Sequence, residues 1–170
     1  MQGEITLILG GVRSGKSKFA ETYVIEHGAP RLYLATAEAF DSEMADRIAR
    51  HRLDRGEGWT TIEAPLDLSG ALAANSTVDN IILVDCLTLW LSNLMGHNRD
   101  VEEDIDRFFK TLSGLPGPVV FVSNEVGQGI VPDNALARAF RDHAGRLHQR
   151  LAHIAGKVYF ITAGLPQRLK

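Results

Sequence analysis

The 170-residue chain has a single cysteine, Cys86, which excludes an intrachain disulfide and any site built from several thiolates. It has no apolar run long enough to cross a bilayer. The most apolar stretch, 81–95, is broken by Asp85, Thr88, Ser92 and Asn93, whereas a spanning helix needs about 20 apolar residues. Basic charge is not in excess either: 18 Lys and Arg against 21 Asp and Glu leave a formal charge of −3 and a pI near 6.1. That balance argues against a general nucleic-acid binder or an anionic-membrane binder. The histidines at 27, 97, 143, 148 and 153 show no H-E-x-x-H or comparable ligand spacing, so a dedicated zinc site is not expected. No charged leader and no small-residue cleavage site precede the first strand-like run, which makes the cytoplasm the expected location. Repeats and low-complexity tracts are also missing. Gly114-Leu115-Pro116-Gly117-Pro118 reads as a tight turn, too short for a linker. One domain over 1–170 is expected, with 45% hydrophobic residues to build its core.

What is present is a regular alternation. Strand-like runs at 5–9, 31–35, 59–63, 81–84, 119–122 and 158–161 alternate with helical patterns at 16–27, 42–55, 67–74, 87–95, 101–113 and 134–154. The runs Ile81-Ile82-Leu83-Val84, Val119-Val120-Phe121-Val122 and Val158-Tyr159-Phe160-Ile161 are apolar at successive positions, as suits strands covered on both faces of a parallel sheet. The pattern predicts an α/β fold of the P-loop NTPase type, a mostly parallel central sheet with flanking helices.

Gly10-Gly11-Val12-Arg13-Ser14-Gly15-Lys16-Ser17 has the form G-x-x-x-x-G-K-S and lies between a predicted strand and a predicted helix. That setting aims backbone N–H groups and a helix N-terminus at phosphate oxygens. Lys16 is placed to reach the β- and γ-phosphates, and the Ser17 hydroxyl to coordinate Mg²⁺. Asp85 directly follows a buried strand, the position at which a P-loop protein carries the acid that holds Mg²⁺ or its waters; an Asp capping the next turn is the plainer alternative. Asn124 and Glu125 follow the next strand and share its carboxyl edge, where ligands of open α/β sheets gather. Glu125 is a candidate general base toward a substrate hydroxyl or a second metal-shell acid, and equally an ordinary turn residue. The segment lacks the N-K-x-D pattern with which GTPase switches read guanine.

Asp41 to Arg55 opens with an N-cap candidate, Asp41, and carries its acids early and its cations late, as the helix dipole favours. Arg47, His51 and Arg55 recur every four residues and form one stripe. Two readings stay open: a solvated basic face, or a phosphate-binding stripe in which nearby cations keep His51 neutral and nucleophilic. The helix at 134–154 presents Arg138, Arg141, Asp142 and Arg146, read mainly as a solvated face with an Asp142–Arg146 pair, with phosphate contact as the alternative for the arginines.

With these segments in view, the chain resembles the bifunctional adenosylcobinamide kinase/adenosylcobinamide-phosphate guanylyltransferase family of cobalamin biosynthesis. The carriers are the P-loop, Ala35-Thr36-Ala37 leading to Asp41-Ser42-Glu43-Met44, Arg47-Ile48-Ala49-Arg50-His51-Arg52 with Trp59, the stretch 84–94, Ser123 to Pro132, and 140–146. The His51 and 123–132 segments are the specific ones. The resemblance implies phosphorylation of the aminopropanol hydroxyl of adenosylcobinamide by ATP or GTP. It then implies transfer of GMP from GTP to adenosylcobinamide phosphate, giving adenosylcobinamide-GDP and pyrophosphate. It implies that His51 carries GMP as a phosphoramidate and that the protein is a homotrimer. The expected site is thus Lys16, Glu125 and His51 for chemistry, residues 10–17 with Arg47, Arg55 and Asp85 for nucleotide, and Ser17 with Asp85 for Mg²⁺. Two rivals are a P-loop kinase of another small metabolite without nucleotidyl transfer, and a nucleotide-dependent switch. Two departures from the family pattern are Gly56-Glu57-Gly58 before Trp59, and His148 where asparagine is usual.

Overall fold

The strands are β1 (Ile5–Gly10), β2 (Arg31–Ala35), β3 (Trp59–Glu63), β4 (Ile81–Asp85), β5 (Val119–Asn124), β6 (Lys157–Thr162) and β7 (Leu165–Arg168). The helices are α1 (Lys16–His27), α2 (Ser42–Arg55), α3 (Leu68–Asn75), α4 (Leu87–Gly96), α5 (Val101–Leu112) and α6 (Ala135–Ile154). The computed structural model describes residues 3–38 and 42–170, with the side chains of Glu43, Met44, Arg47, Arg50, His51, Arg52 and Asp54 outside the description. The Asp41 cap therefore falls outside the described residues.

One seven-stranded sheet runs in the order β3-β2-β4-β5-β1-β6-β7. Every pairing is parallel except β6 with β7. The pleat sends alternate residues to opposite faces. Leu7, Leu9, Ile82, Val84, Val119 and Phe121 meet α3, α4, α5 and α6 in one apolar layer. Ile8, Ile81, Leu83, Val120, Val122 and Ile161 meet Ala20 and Val24 of α1 in the other. This two-sided cover explains why the strands are continuous apolar runs rather than alternating ones. The expected elements are all present, and the fold is a single α/β domain of the P-loop NTPase type. The short exposed strand β7 was not expected, because Leu165-Pro166-Gln167-Arg168 carries no apolar run and pairs only as an edge.

The topology places the site. After β1 the chain crosses through α1, on one face, to β2; after β5 it crosses through α6, on the opposite face, to β6. β1 and β5 are neighbours, in register from Ile5↔Val119 to Gly10↔Asn124. Their departing loops therefore part company at adjacent carboxyl ends, which opens a crevice where ligands of such sheets bind.

Candidate active site

The loop after β1 is shaped by backbone constraints. Gly10 ends the strand, and a Cβ on it would stand 2.5 Å from Ser14 Oγ and 2.8 Å from the Ile161 carbonyl oxygen. Gly15 has φ 92 as the residue preceding α1, a left-handed geometry that disfavours side chains. Its Cα face looks onto the β6–β7 turn, where an added Cβ would lie 3.1 Å from Gly164 Cα. That turn has φ 51 at Ala163 and φ 76 at Gly164, as a two-residue hairpin loop requires. The Gly164 N–H donates to the Ser14 carbonyl at 2.7 Å and braces the loop from behind. A sequence search for apolar strands passes over this brace; the Ala163-Gly164 pair after β6 is the signal that would have revealed it.

Lys16, the first residue of α1, is buried, and its Nζ donates to the Gly11 carbonyl at 3.1 Å within the loop. Ser14 Oγ is buried without a hydrogen-bond partner among the described residues. A buried hydroxyl left unpaired is costly, and here it sits in the loop whose G-x-x-x-x-G-K-S pattern is the one expected to meet phosphate oxygens.

β4 and β5 deliver the remaining groups. Asp85 ends β4, half-buried. The Glu125 N–H donates to the Gly10 carbonyl at 3.0 Å, so the residue after β5 is tied directly to the P-loop. Asn124 donates from its backbone and from Nδ2 to Thr88 Oγ1, at 3.3 and 2.9 Å. Burial, aided by the Asp85 charge, pushes the Cys86 thiol up to about 11, while the Lys16 ammonium pulls the other way. Cys86 is thus a neutral thiol at pH 7. Burial and Asp85 likewise drive the Tyr33 phenol well above its usual range. The Glu125 carboxylate accepts the Gly127 N–H and so folds onto its own loop.

Ser17 and Asp85 offer hard oxygen donors, and among the described residues there is no cluster of three or more His, Cys, Asp or Glu able to cage a metal alone. One carboxylate and one hydroxyl fit Mg²⁺, which keeps waters and takes its other oxygens from substrate phosphates.

The arginines of α6 serve the loop after β5. Arg141 donates to the carbonyls of Gly127 and Ile130, at 2.8 and 3.1 Å, and Arg138 to that of Pro132 at 3.0 Å. Arg146 pairs with Glu102 on α5 at 3.1 Å, in place of the expected Asp142. Behind this loop His148 is buried, with Nε2 2.7 Å from the hydroxyl of Ser123, which has no exposed surface. Burial holds its imidazole below the ordinary histidine value, and Glu125 opposes part of that shift.

On the other side of Asp85, α2 descends from the end of β2 toward the start of β3. His51 and Arg47 stand one and two turns before Arg55 on this helix; their side chains lie outside the described residues. Arg55 is buried, its guanidinium carbon 3.4 Å from the Tyr33 ring centroid and 5.8 Å from that of Trp59, with Nη2 donating to Thr61 Oγ1 at 3.2 Å. The Gly56-Glu57-Gly58 departure has a geometric reason. Gly56 and Gly58 take φ 74 and 86, and a Cβ at Gly58 would collide with the Arg31 guanidinium at 2.3 Å. Between α2 and the ends of β2 and β3 opens a cleft of about 680 Å³, lined by Ala35, Ala37, Ala49 and Leu53 with Glu38 and Glu63. Sequence reasoning passed over Glu38 and Glu63.

Residues 6–169 match the family described as cobinamide kinase / cobinamide phosphate guanyltransferase. The bifunctional adenosylcobalamin biosynthesis protein CobP of Pseudomonas aeruginosa is 45% identical over 166 residues, covering 96% of each chain. CobU of Salmonella typhimurium, of the same description, is 39% identical over 180 residues, covering 96% of this chain and 98% of that protein. Among solved structures, the flagellar accessory protein FlaH from Methanocaldococcus jannaschii superposes with a TM-score of 0.54 at 12% identity, over 99% of this chain and 79% of that one, a likeness of fold alone. With a P-loop at the switch point of its sheet and relatives matching it end to end, the chain belongs to the cobinamide kinase / cobinamide phosphate guanyltransferase family and is a transferase.

Proposed function

We propose that the protein phosphorylates the aminopropanol hydroxyl of adenosylcobinamide with ATP or GTP and then transfers GMP from GTP to adenosylcobinamide phosphate. The observation that carries this reading is the junction of β1 and β5. There the Glu125 N–H donates to the Gly10 carbonyl, and Asp85 ends the strand paired with β5, a neighbourhood that supports a single site for the phosphate-binding, acid and base candidates.

In the first reaction the amides of residues 10–17 and Lys16 hold the terminal phosphates, and Ser17 and Asp85 would hold Mg²⁺. Bound there, the ion neutralises charge on the phosphate oxygens, which is where phosphoryl-transfer catalysts gain most of their rate. Glu125 accepts the proton of the attacking hydroxyl. The new bond joins that oxygen to the γ-phosphorus, and the bond to the β-phosphate oxygen breaks.

In the second reaction a ring nitrogen of His51 attacks the α-phosphorus of GTP, and pyrophosphate leaves with the electron pair, steadied by the P-loop. Arg47 screens the phosphates. A phosphate oxygen of adenosylcobinamide phosphate then attacks the same phosphorus, and the P–N bond breaks. The cleft beside α2 suits the base: apolar walls cover its faces, and carboxylates accept from the N1–H and N2–H donors that guanine presents and adenine lacks at those positions. The reading includes a homotrimer, and a monomer or dimer mass by light scattering on the purified protein would overturn that part of it.

Labelling with [α-³²P]GTP tests the reading. Acid-labile, protein-bound label is expected in the parent and absent in His51→Ala, which keeps γ-phosphoryl transfer to cobinamide. Label surviving in His51→Ala overturns the nucleophile assignment. Transfer of γ-label with no protein-bound GMP in the parent favours a kinase alone.

A further inference from the structure

Trp90 and Asn93 on α4 and His97 at its C-cap, spaced i, i+3 and i+7, reach across to the connectors that leave β2 and β3. Trp90 Nε1 donates to the Leu66 carbonyl at 2.9 Å. Asn93 Nδ2 donates to two carbonyls, that of Thr36 at 2.7 Å and that of Pro65 at 3.0 Å. His97 Nε2 lies 3.1 Å from Glu38 Oε2. The acceptors are 36 and 38 on one connector, 65 and 66 on the other.

Those connectors are the walls of the cleft beside α2. Ala37 and Glu38 line it from the first and Pro65 from the second, with Ala35 and Glu63 at the strand ends before them. Thr36 is fixed in turn to the end of β4. Its hydroxyl donates to the Cys86 carbonyl at 2.7 Å and accepts from the Cys86 N–H at 2.8 Å. One helix therefore ties both walls to the strand that carries Asp85.

Packing alone does not call for this chemistry. Asn93 is 4% exposed, and burying a primary amide is unfavourable unless its hydrogen bonds are made. A leucine would serve the apolar layer at less cost. Both of its N–H donors go to peptide groups on two separate connectors, so the amide fixes a distance between them.

We propose that Trp90, Asn93 and His97 are positioning residues that set the width of this cleft, and through it the preference for guanine in GMP transfer. This rests on the reading that the cleft takes the nucleotide base. Asn93 and Trp90, buried, carry most of the effect; His97 and Glu38 form an exposed pair at the rim, where ion pairs contribute little.

The test compares the KM for GTP in covalent self-labelling with the KM for ATP in cobinamide phosphorylation, in the parent, Asn93→Asp, Trp90→Phe and His97→Gln. Asn93→Asp keeps the shape but turns acceptors toward two carbonyls. It should raise the GTP KM about tenfold and leave the ATP KM within about twofold. Trp90→Phe keeps an aromatic ring but loses the indole's five-membered ring with its donor, and should raise the GTP KM about threefold. His97→Gln keeps a donor toward Glu38 and should match the parent. If Asn93→Asp melts below the assay temperature, Trp90→Phe decides the matter. A GTP KM unchanged in whichever of Asn93→Asp and Trp90→Phe folds, or GTP and ATP KM values raised together, overturns the proposal while the two-step reading stands. A parent that takes no label from GTP overturns the two-step reading itself, and this proposal with it.

Discussion

The two ends of the active edge are built by different means. At β1–β5 the geometry belongs to the backbone: Gly10 and Gly15 sit where a Cβ would meet Ser14, Ile161 or Gly164, and main-chain bonds from Gly164 and Glu125 lock the loop. At β2–β3 it belongs to side chains: Asn93 and Trp90 hold the connectors, and Arg55 lies on Tyr33. A backbone-built site is all or nothing, because one methyl group has nowhere to go. A side-chain-built site can be widened or retuned one bond at a time. That division matches the proposed chemistry, in which the phosphate end serves both reactions and the cleft end serves the choice of nucleotide.

The largest effect is expected at Gly10. Gly10→Ala forces a contact with a main-chain oxygen that cannot swing away, so both γ-phosphoryl transfer and GMP labelling should fall by about 100-fold or more, while thermal melting shows a folded protein. Alanine tolerated there, with nucleotide affinity intact by calorimetry, breaks the claim that this end is fixed by the backbone. Glu63→Gln probes the other end. Replacing a carboxylate acceptor by an amide should raise the KM for GTP in labelling about tenfold and leave the ATP-dependent step near parental. Equal losses in both steps would erase the distinction between the two ends.

The same division explains what could be read from the sequence. The P-loop was legible because glycine is demanded at fixed spacing by close approach and by φ, and a strand and helix flank it. Asp85, Asn124 and Glu125 were legible because they end apolar strands, and strand ends share an edge in a parallel sheet. The helix over 42–55 was legible from its charge order, yet the place of Arg55 was not. The spacing aligned it with Arg47 and His51, whereas the ring it lies on belongs to Tyr33, far off in sequence and brought beside Trp59 only when β2 pairs β3. The grip of α4 on the cleft walls was hidden for the same reason: Asn93 to Thr36 spans 57 residues, and no local pattern marks a carbonyl as its acceptor. β7 left no apolar signal at all.

Arg55→Lys sharpens the comparison at a smaller scale. A lysine keeps the charge but loses the planar stack on Tyr33 and the bond to Thr61, which should cost about 1–2 kcal/mol of stability, read as a lower melting temperature. If instead stability holds and only the KM for GTP rises, Arg55 works as a phosphate ligand and the cleft end is built without it.

The smallest effect is a pH dependence behind the phosphate end. Burial keeps His148 from taking a proton at its ordinary value of 6.5, with Glu125 offsetting part of that. The unfolded chain binds that proton before the folded one does. Unfolding therefore takes up a proton as the pH drops below about 6.5, and stability falls in the same window; above it the contribution is constant. His148→Asn removes the titration and retains a polar partner for the Ser123 hydroxyl, now 2.7 Å from Nε2. The melting temperatures of parent and variant should run parallel from pH 8 to 7 and diverge from pH 6.5 to 5, with the parent falling faster. Curves that stay parallel into acid would mean that the folded protein accommodates the imidazolium, with Glu125 as its counter-ion. The strand end carrying Asn124 and Glu125 would then be held by charge as well as by its main-chain bond to Gly10, and the contrast between the two ends would narrow.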